Sequence, residues 1–202
     1  MVVDMERVNS IIKTLVDSGM VSDIINNRSF EPWGWFQEHK GLLSGGYKIY
    51  SGACKGVIVF DDTDWVIKFD YYGSDSYCKI EADNYRYAVK EGLAHYFAET
   101  RFITQVECVS FVVQAKCECD ENDIYDSLHQ YVKEVYDEEC SEYTDNSLWE
   151  EVESICENGC VFEMFRDDAL NAFVSRYYIN DLHPGNFGRI NGRIVMTDYS
   201  GF

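Results

Sequence analysis

The stretch that decides the fold lies near the end of the chain, where residues 181–201 read DLHPGNFGRINGRIVMTDYSG. Within it, Asn191 and Gly192 separate two β-like runs, 187–190 and 193–197. Asn-Gly is the preferred pair for a two-residue hairpin loop, because both loop positions need a positive φ. The pattern therefore predicts a tight β-hairpin.

Three polar residues converge at one end of this predicted hairpin. Asn186 stands just before the first strand and Asp198 just after the second, so the turn places them side by side. Asp181 lies five residues ahead of Asn186, in the loop that enters the hairpin. Magnesium prefers a few hard oxygen ligands together with substrate phosphates, which this set suits. The alternative is that Asn186 and Asp198 only cap the hairpin.

A small antiparallel sheet is predicted upstream. Three β-like runs, 47–50, 57–60 and 65–69, are separated first by a loop flanked by Gly52 and Gly56 and then by an acidic turn. Apolar spacing predicts four helices: a leading helix over 2–18, one over 77–98, one in the acidic stretch after residue 116, and one from 167 to about 178. It also predicts strands over 101–107 and 110–116.

Taken together, these residues resemble the protein-kinase-like superfamily. Asp181-Leu-His-Pro-Gly-Asn186 is similar to the catalytic loop in the form that aminoglycoside phosphotransferases and atypical kinases carry. Asp198-Tyr-Ser-Gly201 resembles the metal-binding motif, and Val66-Ile-Lys68 resembles the strand with the nucleotide-binding lysine. Glu81 fits the helix glutamate that pairs with this lysine. Order and approximate spacing agree from about residue 44 to 202.

The resemblance implies an α+β, protein-kinase-like bilobal fold. Residues 1–116 would form a leading helix and a small antiparallel-sheet N-lobe with its helix. Residues 117–202 would form a reduced, mainly helical C-lobe with the acidic segment and the catalytic loop.

It also implies a role for each residue in phosphoryl transfer from ATP. Lys68 would hold the α- and β-phosphates, with Glu81 as its ion-pair partner. Asn186 and Asp198 would bind Mg²⁺, and Asp181 would orient an acceptor hydroxyl and take its proton. The other implied site residues are Gly52 and Gly56 over the phosphates, Val57 and Val66 against the adenine, and His183 near the γ-phosphate.

Each assignment has a structural alternative. Lys68 would be an edge-strand lysine that opposes aggregation. Glu81 would be one more exposed helix acid, with Glu91 as a competitor for the pairing role. The remaining alternatives are a simple turn for Gly52 and Gly56 and a packed side chain for His183.

The sequence also departs from the family pattern. Ile179 stands two residues before Asp181, where the family usually has histidine, and Tyr199-Ser200 replaces Phe-Gly in the metal-binding motif. Phe202 follows Asp198 by four residues, before any activation segment or acceptor-binding helices. We therefore expect a minimal bacterial or phage-type protein with a complete nucleotide half and no usual acceptor half.

Charge limits the possible partners. The chain has 17 Lys and Arg against 36 Asp and Glu, for a net charge of −19, with much of the excess in residues 118–157. Such a surface disfavours direct nucleic-acid binding and favours basic proteins. The alternative is that the acidic segment is a solvated face of the protein. An oligomer is possible.

Targeting and redox signals are weak. No apolar run approaches the ~20 residues that cross a bilayer. The first residues lack a basic region followed by an apolar one, so we expect no secretory signal and a cytoplasmic location. The eight cysteines lack zinc-site spacing and are predicted to be reduced thiols.

These observations leave three hypotheses. The first is an ATP- and Mg²⁺-dependent minimal protein kinase that acts on a protein hydroxyl or on itself. The second is a catalytically degenerate kinase-like protein that binds a basic partner or mimics DNA. The third is a small-molecule kinase.

Overall fold

The computed structural model describes residues 1–27, 29–71, 76–119, 123–124, 126–127, 167–179, 181 and 184–201. The chain divides into two units, the first with Met1–Arg86 and Glu99–Lys116, the second with Tyr87–Ala98 and Cys117–Phe202. Most of the acidic segment 118–157, the helix predicted there, and His183 lie outside the described residues. The fold is α+β with an antiparallel sheet, as predicted.

The first unit contains a sheet and four helices. Its strands are β1 (Tyr47–Ser51), β2 (Lys55–Phe60), β3 (Trp65–Asp70), β4 (Thr100–Val106) and β5 (Val109–Ala115). Its helices are α1 (Met5–Asp17), α2 (Met20–Asn26), α3 (Pro32–Glu38) and α4 (Tyr77–Lys90), the last of which begins in this unit. The strands pair antiparallel in the order β1-β2-β3-β5-β4. All five strands were predicted to within two residues at each end.

Helix α1 forms where the apolar spacing predicted it. The Asp4 carboxylate caps its first turn by accepting a hydrogen bond from the Arg7 N–H at 3.0 Å. The helix ends at Asp17 with Ser18 as its C-cap, and the next residue, Gly19, takes a φ of 89° that favours glycine. The buried face consists of Val8, Ile11, Ile12 and Leu15.

Two short helices, α2 and α3, were not predicted. Each has seven residues, which is too short to display a clear helical period. Helix α3 begins with Pro32 in its first turn, and the Glu31 carboxylate accepts a hydrogen bond from the Trp33 N–H at 3.0 Å. Trp35 and Phe36 of α3 are buried.

The sheet has two different faces because side chains alternate along each strand. Trp65, Ile67 and Phe69 of β3 belong to the main hydrophobic core, which also contains the buried side chains of α1, α2 and α3. We call this the core face. Complete burial of one such side chain contributes about 1.5–3 kcal/mol to folding.

The opposite face carries the even-numbered residues of β3, and we call it the inner face. Helix α4 covers part of it, where Cys78 and Ala82 pack against Val112 of β5. Burial raises the pKa of the Cys78 thiol well above its usual value. The five cysteines within the described residues are free thiols.

The second unit contains one described helix of ten residues and the predicted hairpin. These are α5 (Asp168–Tyr177), β6 (Phe187–Ile190) and β7 (Arg193–Met196). The Asp167 carboxylate caps α5 by accepting hydrogen bonds from the backbone N–H groups of Ala169 and Leu170. Asn191 and Gly192 form the hairpin turn with φ values of 53° and 77°, which confirms the predicted tight turn.

An aromatic cluster holds the end of this hairpin. Phe97 packs on Phe173 and Tyr199, with ring centroids 5.5 and 5.0 Å apart. The Tyr199 hydroxyl donates a hydrogen bond to the Ala98 carbonyl at 2.7 Å, and the Ala98 N–H donates to the Met196 carbonyl at 2.8 Å. In the part of the chain that the structure describes, no helix is long and apolar enough to cross a bilayer.

Candidate functional site

Lys68 and Glu81 form a buried ion pair in the first unit. Strand alternation puts Lys68 on the inner face of β3, and α4 brings Glu81 over that face. The Lys68 Nζ donates a hydrogen bond to Glu81 Oε1 at 2.8 Å, and the two residues are 5% and 0% exposed. The structure therefore brings together the lysine and glutamate singled out in the sequence.

The structural alternatives for these two residues are wrong. Strand β3 lies between β2 and β5, so Lys68 is not on an edge strand. Glu81 is buried, whereas its competitor Glu91 is exposed and pairs with Arg176 at 2.8 Å.

Two further polar residues of the inner face, Lys55 and Gln114, lie beside Glu81. The Gln114 Nε2 donates to Glu81 Oε1 and to Thr100 Oγ1, both at 2.8 Å. The Lys55 Nζ lies 3.5 Å from Glu81 Oε2. Glu81 is thus approached by two lysines, of which the sequence reasoning missed Lys55. Its position two residues before Val57, on the same strand face, was the signal that would have revealed it.

Asp70 occupies the end of the same face. Its Oδ1 accepts a hydrogen bond from the Cys78 N–H at 2.9 Å, and its Oδ2 accepts one from the Ser110 N–H at 3.3 Å. Burial raises the pKa of this carboxyl above its usual value, and the nearby Lys55 charge opposes that shift. Asp70 therefore anchors the start of α4 to β5.

The two predicted loop glycines occupy different environments. Gly52 lies in the β1–β2 loop, where its N–H donates to the Lys55 carbonyl at 2.9 Å. Gly56 lies inside β2 opposite Phe69, and a Cβ added there would be 2.3 Å from the Phe69 ring. Packing on the core face is thus sufficient to require a glycine at position 56.

Val57 and Val66, the residues predicted to contact adenine, lie on the inner face with Lys68. Val57 pairs directly with Lys68, and Val66 precedes Lys68 by two residues on β3. Val57 is half-buried, and its cross-strand neighbour Tyr50 on β1 is 54% exposed. This end of the face offers apolar and aromatic surface to a flat ligand. Tyr50 also lines a surface cavity of ≈ 440 Å³ between α3 and β1, which none of the predicted site residues line.

Asp181, Asn186 and Asp198 converge in the second unit. The Asn186 Nδ2 donates hydrogen bonds to the Asp181 carbonyl at 2.7 Å and to Asp181 Oδ2 at 3.2 Å. The Asn186 carbonyl accepts hydrogen bonds from the N–H groups of Thr197 at 2.7 Å and Asp198 at 3.3 Å. The hairpin thus places the three residues at one end, as the turn geometry predicted.

The side-chain oxygens of these residues suit Mg²⁺ bound together with a polyphosphate. The Asn186 amide nitrogen donates to Asp181, so Oδ1 is the Asn186 atom that would bind a metal, and Asp198 would add a carboxylate. The Ser200 hydroxyl donates to Asp198 Oδ1 at 3.2 Å. Within the described ranges, no group of three or more His, Cys, Asp or Glu side chains is placed to hold a metal. A cation that shares phosphate oxygens needs fewer protein ligands.

Two residues that depart from the family pattern, Ile179 and Tyr199, are buried and pack against their neighbours. Ile179 is 1% exposed, and its N–H donates to the Val174 carbonyl at 3.0 Å. Tyr199 is buried in the aromatic cluster. His183, the last predicted site residue, lies outside the described residues.

Comparisons with known proteins find few relatives. No family model matches the chain, and no curated protein matches it. It is similar to two crystal structures of thermostable mutants of aminoglycoside phosphotransferase APH(4)-Ia, each in a ternary complex with AMP-PNP and hygromycin B. The first is 15% identical with a TM-score of 0.37, over 83% of this chain and 70% of that chain. The second is 14% identical with a TM-score of 0.38, over 85% and 72%.

Proposed function

We propose that this protein is a kinase-like phosphotransferase that transfers the γ-phosphoryl group of ATP to a hydroxyl of a protein substrate or of itself. The observation that carries the proposal is the buried Lys68–Glu81 pair. A buried ion pair adds little stability compared with apolar residues of the same volume. The burial of this pair on the inner face therefore favours a functional role for the Lys68 charge. Charged groups held in such environments are common at functional sites.

The first unit would bind the nucleotide. ATP, when bound, supplies the phosphoryl group. Lys68 would donate hydrogen bonds to phosphate oxygens, while Glu81 keeps its ammonium group in one position. Val57 and Val66, on the same face, would contact the adenine. These contacts suit phosphoryl transfer, in which catalysis depends mostly on positioning and charge stabilisation.

The second unit would supply the metal ligands and the base. Asn186 Oδ1 and the Asp198 carboxylate would hold Mg²⁺. The Asp181 carboxylate, oriented by the Asn186 amide, would accept a hydrogen bond from the acceptor hydroxyl and then its proton. His183 is a further candidate near the transferred group.

A binding function without catalysis is the second candidate. The net charge of −19 favours a basic protein partner, and a kinase-like fold can serve such a partner without transfer. The catalytic-loop form at residues 181–186 motivates a small-molecule acceptor as a third candidate. A basic protein acceptor would satisfy both the charge and the proposed chemistry.

Thermal shift with Mg·ATP tests the nucleotide site. A ligand at 100 times its dissociation constant stabilises by about 2.7 kcal/mol, which raises Tm by roughly 5–11 °C for a chain of this size. We expect a Mg²⁺-dependent shift in the wild type and in the exposed control Lys13→Ala, and none in Asp198→Ala. No shift in the wild type at millimolar Mg·ATP would contradict the proposal.

Transfer of labelled γ-phosphate tests the chemistry. The wild type should label itself or a basic protein offered as acceptor, and Asp181→Asn should bind Mg·ATP but lose transfer. Mg·ATP binding without transfer to either acceptor would favour the binding function instead.

A further inference from the structure

Two buried lysines share one carboxylate on the inner face. Lys55 and Lys68 are 7% and 5% exposed, and their Nζ atoms approach the two oxygens of Glu81 from different strands. Burial of an ammonium group is costly unless opposite charge compensates it. A second buried lysine at this glutamate is therefore a feature that packing alone does not explain.

The two lysines differ in how Glu81 holds them. Lys68 makes a hydrogen bond to Oε1 at 2.8 Å, and Gln114 adds a second hydrogen bond to that oxygen. The Lys55 Nζ lies 3.5 Å from Oε2, a fully buried oxygen that has no hydrogen-bond partner. Glu81 thus fixes Lys68 by geometry and attracts Lys55 by charge.

The backbone of Lys55 is held while its side chain has a long reach. Lys55 is the first residue of β2, directly after the β1–β2 loop. Its carbonyl accepts from the Gly52 N–H at 2.9 Å, and the Tyr71 N–H donates to the neighbouring Cys54 carbonyl at 3.0 Å. Four methylene groups separate this fixed backbone from the ammonium group.

The strand register places Lys55 beside the proposed nucleotide surface. Lys55 and Val57 lie on the same face of β2, and Val57 pairs with Lys68 on β3. A polyphosphate that reaches Lys68 from this face comes within range of the Lys55 side chain. It also carries more negative charge than one lysine can neutralise.

We propose that Lys55 is a second phosphate-binding lysine of this site. When a nucleotide binds, the Lys55 ammonium moves from Glu81 Oε2 to a phosphate oxygen, while Glu81 keeps Lys68 in place. This inference rests on the proposed function, because it assigns a further residue to the same nucleotide.

Equilibrium binding of Mg·ATP and of adenosine separates a phosphate contact from a structural role. Lys55→Met should weaken Mg·ATP binding about 10-fold or more, since a charge-assisted hydrogen bond is lost. Its affinity for adenosine should match the wild type. Lys13→Met, which removes the same charge from an exposed position of α1, should change neither. Equal loss for both ligands, or no loss for Mg·ATP, would overturn the role of Lys55.

The outcome also distinguishes the two proposals. A wild type that does not bind Mg·ATP contradicts both of them. A wild type that binds Mg·ATP as tightly as folded Lys55→Met contradicts only the inference about Lys55.

Chemical labelling of the wild type tests the role of Lys55 without requiring that a variant fold. An acyl phosphate of ATP transfers its acyl group to a nearby lysine amine, which attacks the carbonyl carbon, forms an amide and releases ATP. Peptide mapping should find both Lys55 and Lys68 acylated, with both protected by excess Mg·ATP, and Lys13 without protection. Acylation of Lys68 alone would overturn the assignment.

Discussion

The ring of Phe69 lies directly against the Cα of Gly56, on the core face of the sheet. The two residues pair across β2 and β3, and a Cβ added to the glycine would lie 2.3 Å from the ring Cζ and 2.8 Å from its neighbours. Any side chain at position 56 must displace a fully buried aromatic residue. The glycine is therefore required by the sheet itself, with or without a nucleotide.

Gly56→Ala should destabilise the protein by about 1–3 kcal/mol, the usual range for overpacking a core. The matched control is Gly52→Ala, whose Cβ would meet only the Lys55 carbonyl oxygen at 3.6 Å, an ordinary contact. We expect the control to stay within about 0.5 kcal/mol of the wild type. Urea unfolding measures both changes, and equal losses at the two positions would contradict this packing account.

The Lys68–Glu81 pair predicts that a single variant loses more stability than a combined one. Lys68→Met removes the hydrogen-bonded cation of the fully buried Glu81 and leaves Lys55, 3.5 Å away, as its remaining cation, so it should cost up to about 3–5 kcal/mol. Because Glu81→Leu alone would leave the buried Lys55 ammonium without a carboxylate, the combined variant is Lys55→Met, Lys68→Met and Glu81→Leu, which removes all three charges and should regain most of that loss. The free energy of unfolding in urea gives both values. A combined variant no more stable than Lys68→Met would show that the carboxylate is not the source of the cost.

Several features of the fold were predictable because they depend on neighbours in sequence. The Asn191–Gly192 turn follows from local φ requirements, and it folds the chain so that Asn186 meets Asp198. The faces of β3 follow from the two-residue alternation, which placed Lys68 and Val66 together. The helical face that carries Glu81 follows from the period of α4.

Other features depend on tertiary packing and left little trace in the sequence. Helices α2 and α3 are short, and the core stabilises them more than their own periodicity does. Gly56 was read only as part of a loop, because the Phe69 ring that excludes a side chain is 13 positions away. Lys55 falls in the predicted loop between the first two strands, and its place on the face of Val57 becomes apparent only once β2 is known to begin at residue 55.

The Tyr96–Asp167 hydrogen bond predicts a loss of stability at alkaline pH. Tyr96 donates to Asp167 Oδ2 at 2.5 Å, and burial, that hydrogen bond and the Asp167 charge raise the pKa of Tyr96 from 10.0 to about 12. The folded state therefore keeps the phenolic proton in a pH range where the unfolded chain releases it. The stabilisation is complete below pH 10 and is lost as pH rises through about 12.

Tyr96→Phe tests this prediction by comparison with the wild type. The wild type should be the more stable protein at pH 9, and its advantage should shrink between pH 10 and 12. Urea unfolding of both proteins across this range measures the difference, and the other tyrosines, present in both, largely cancel. An advantage that stays constant up to pH 12 would contradict the raised pKa.

The hairpin turn controls the geometry of the predicted metal ligands. Gly192 has a φ of 77°, in the left-handed region that costs an ordinary L-residue roughly 1–2 kcal/mol. Gly192→Ala should therefore loosen the hairpin, whose other end holds the Thr197 N–H against the Asn186 carbonyl. Asn191→Gly keeps a residue suited to positive φ and serves as the control.

Hydrogen exchange at the Thr197 amide reports this opening directly. Gly192→Ala should lower its protection by about 5- to 30-fold, the equivalent of the turn strain, while Asn191→Gly leaves protection close to that of the wild type. Equal protection in both variants would mean that the aromatic cluster around Tyr199, rather than the turn, holds the strands together. The distinction matters for the site, because Asn186 and Asp198 keep their backbone contact only while this end of the hairpin stays closed.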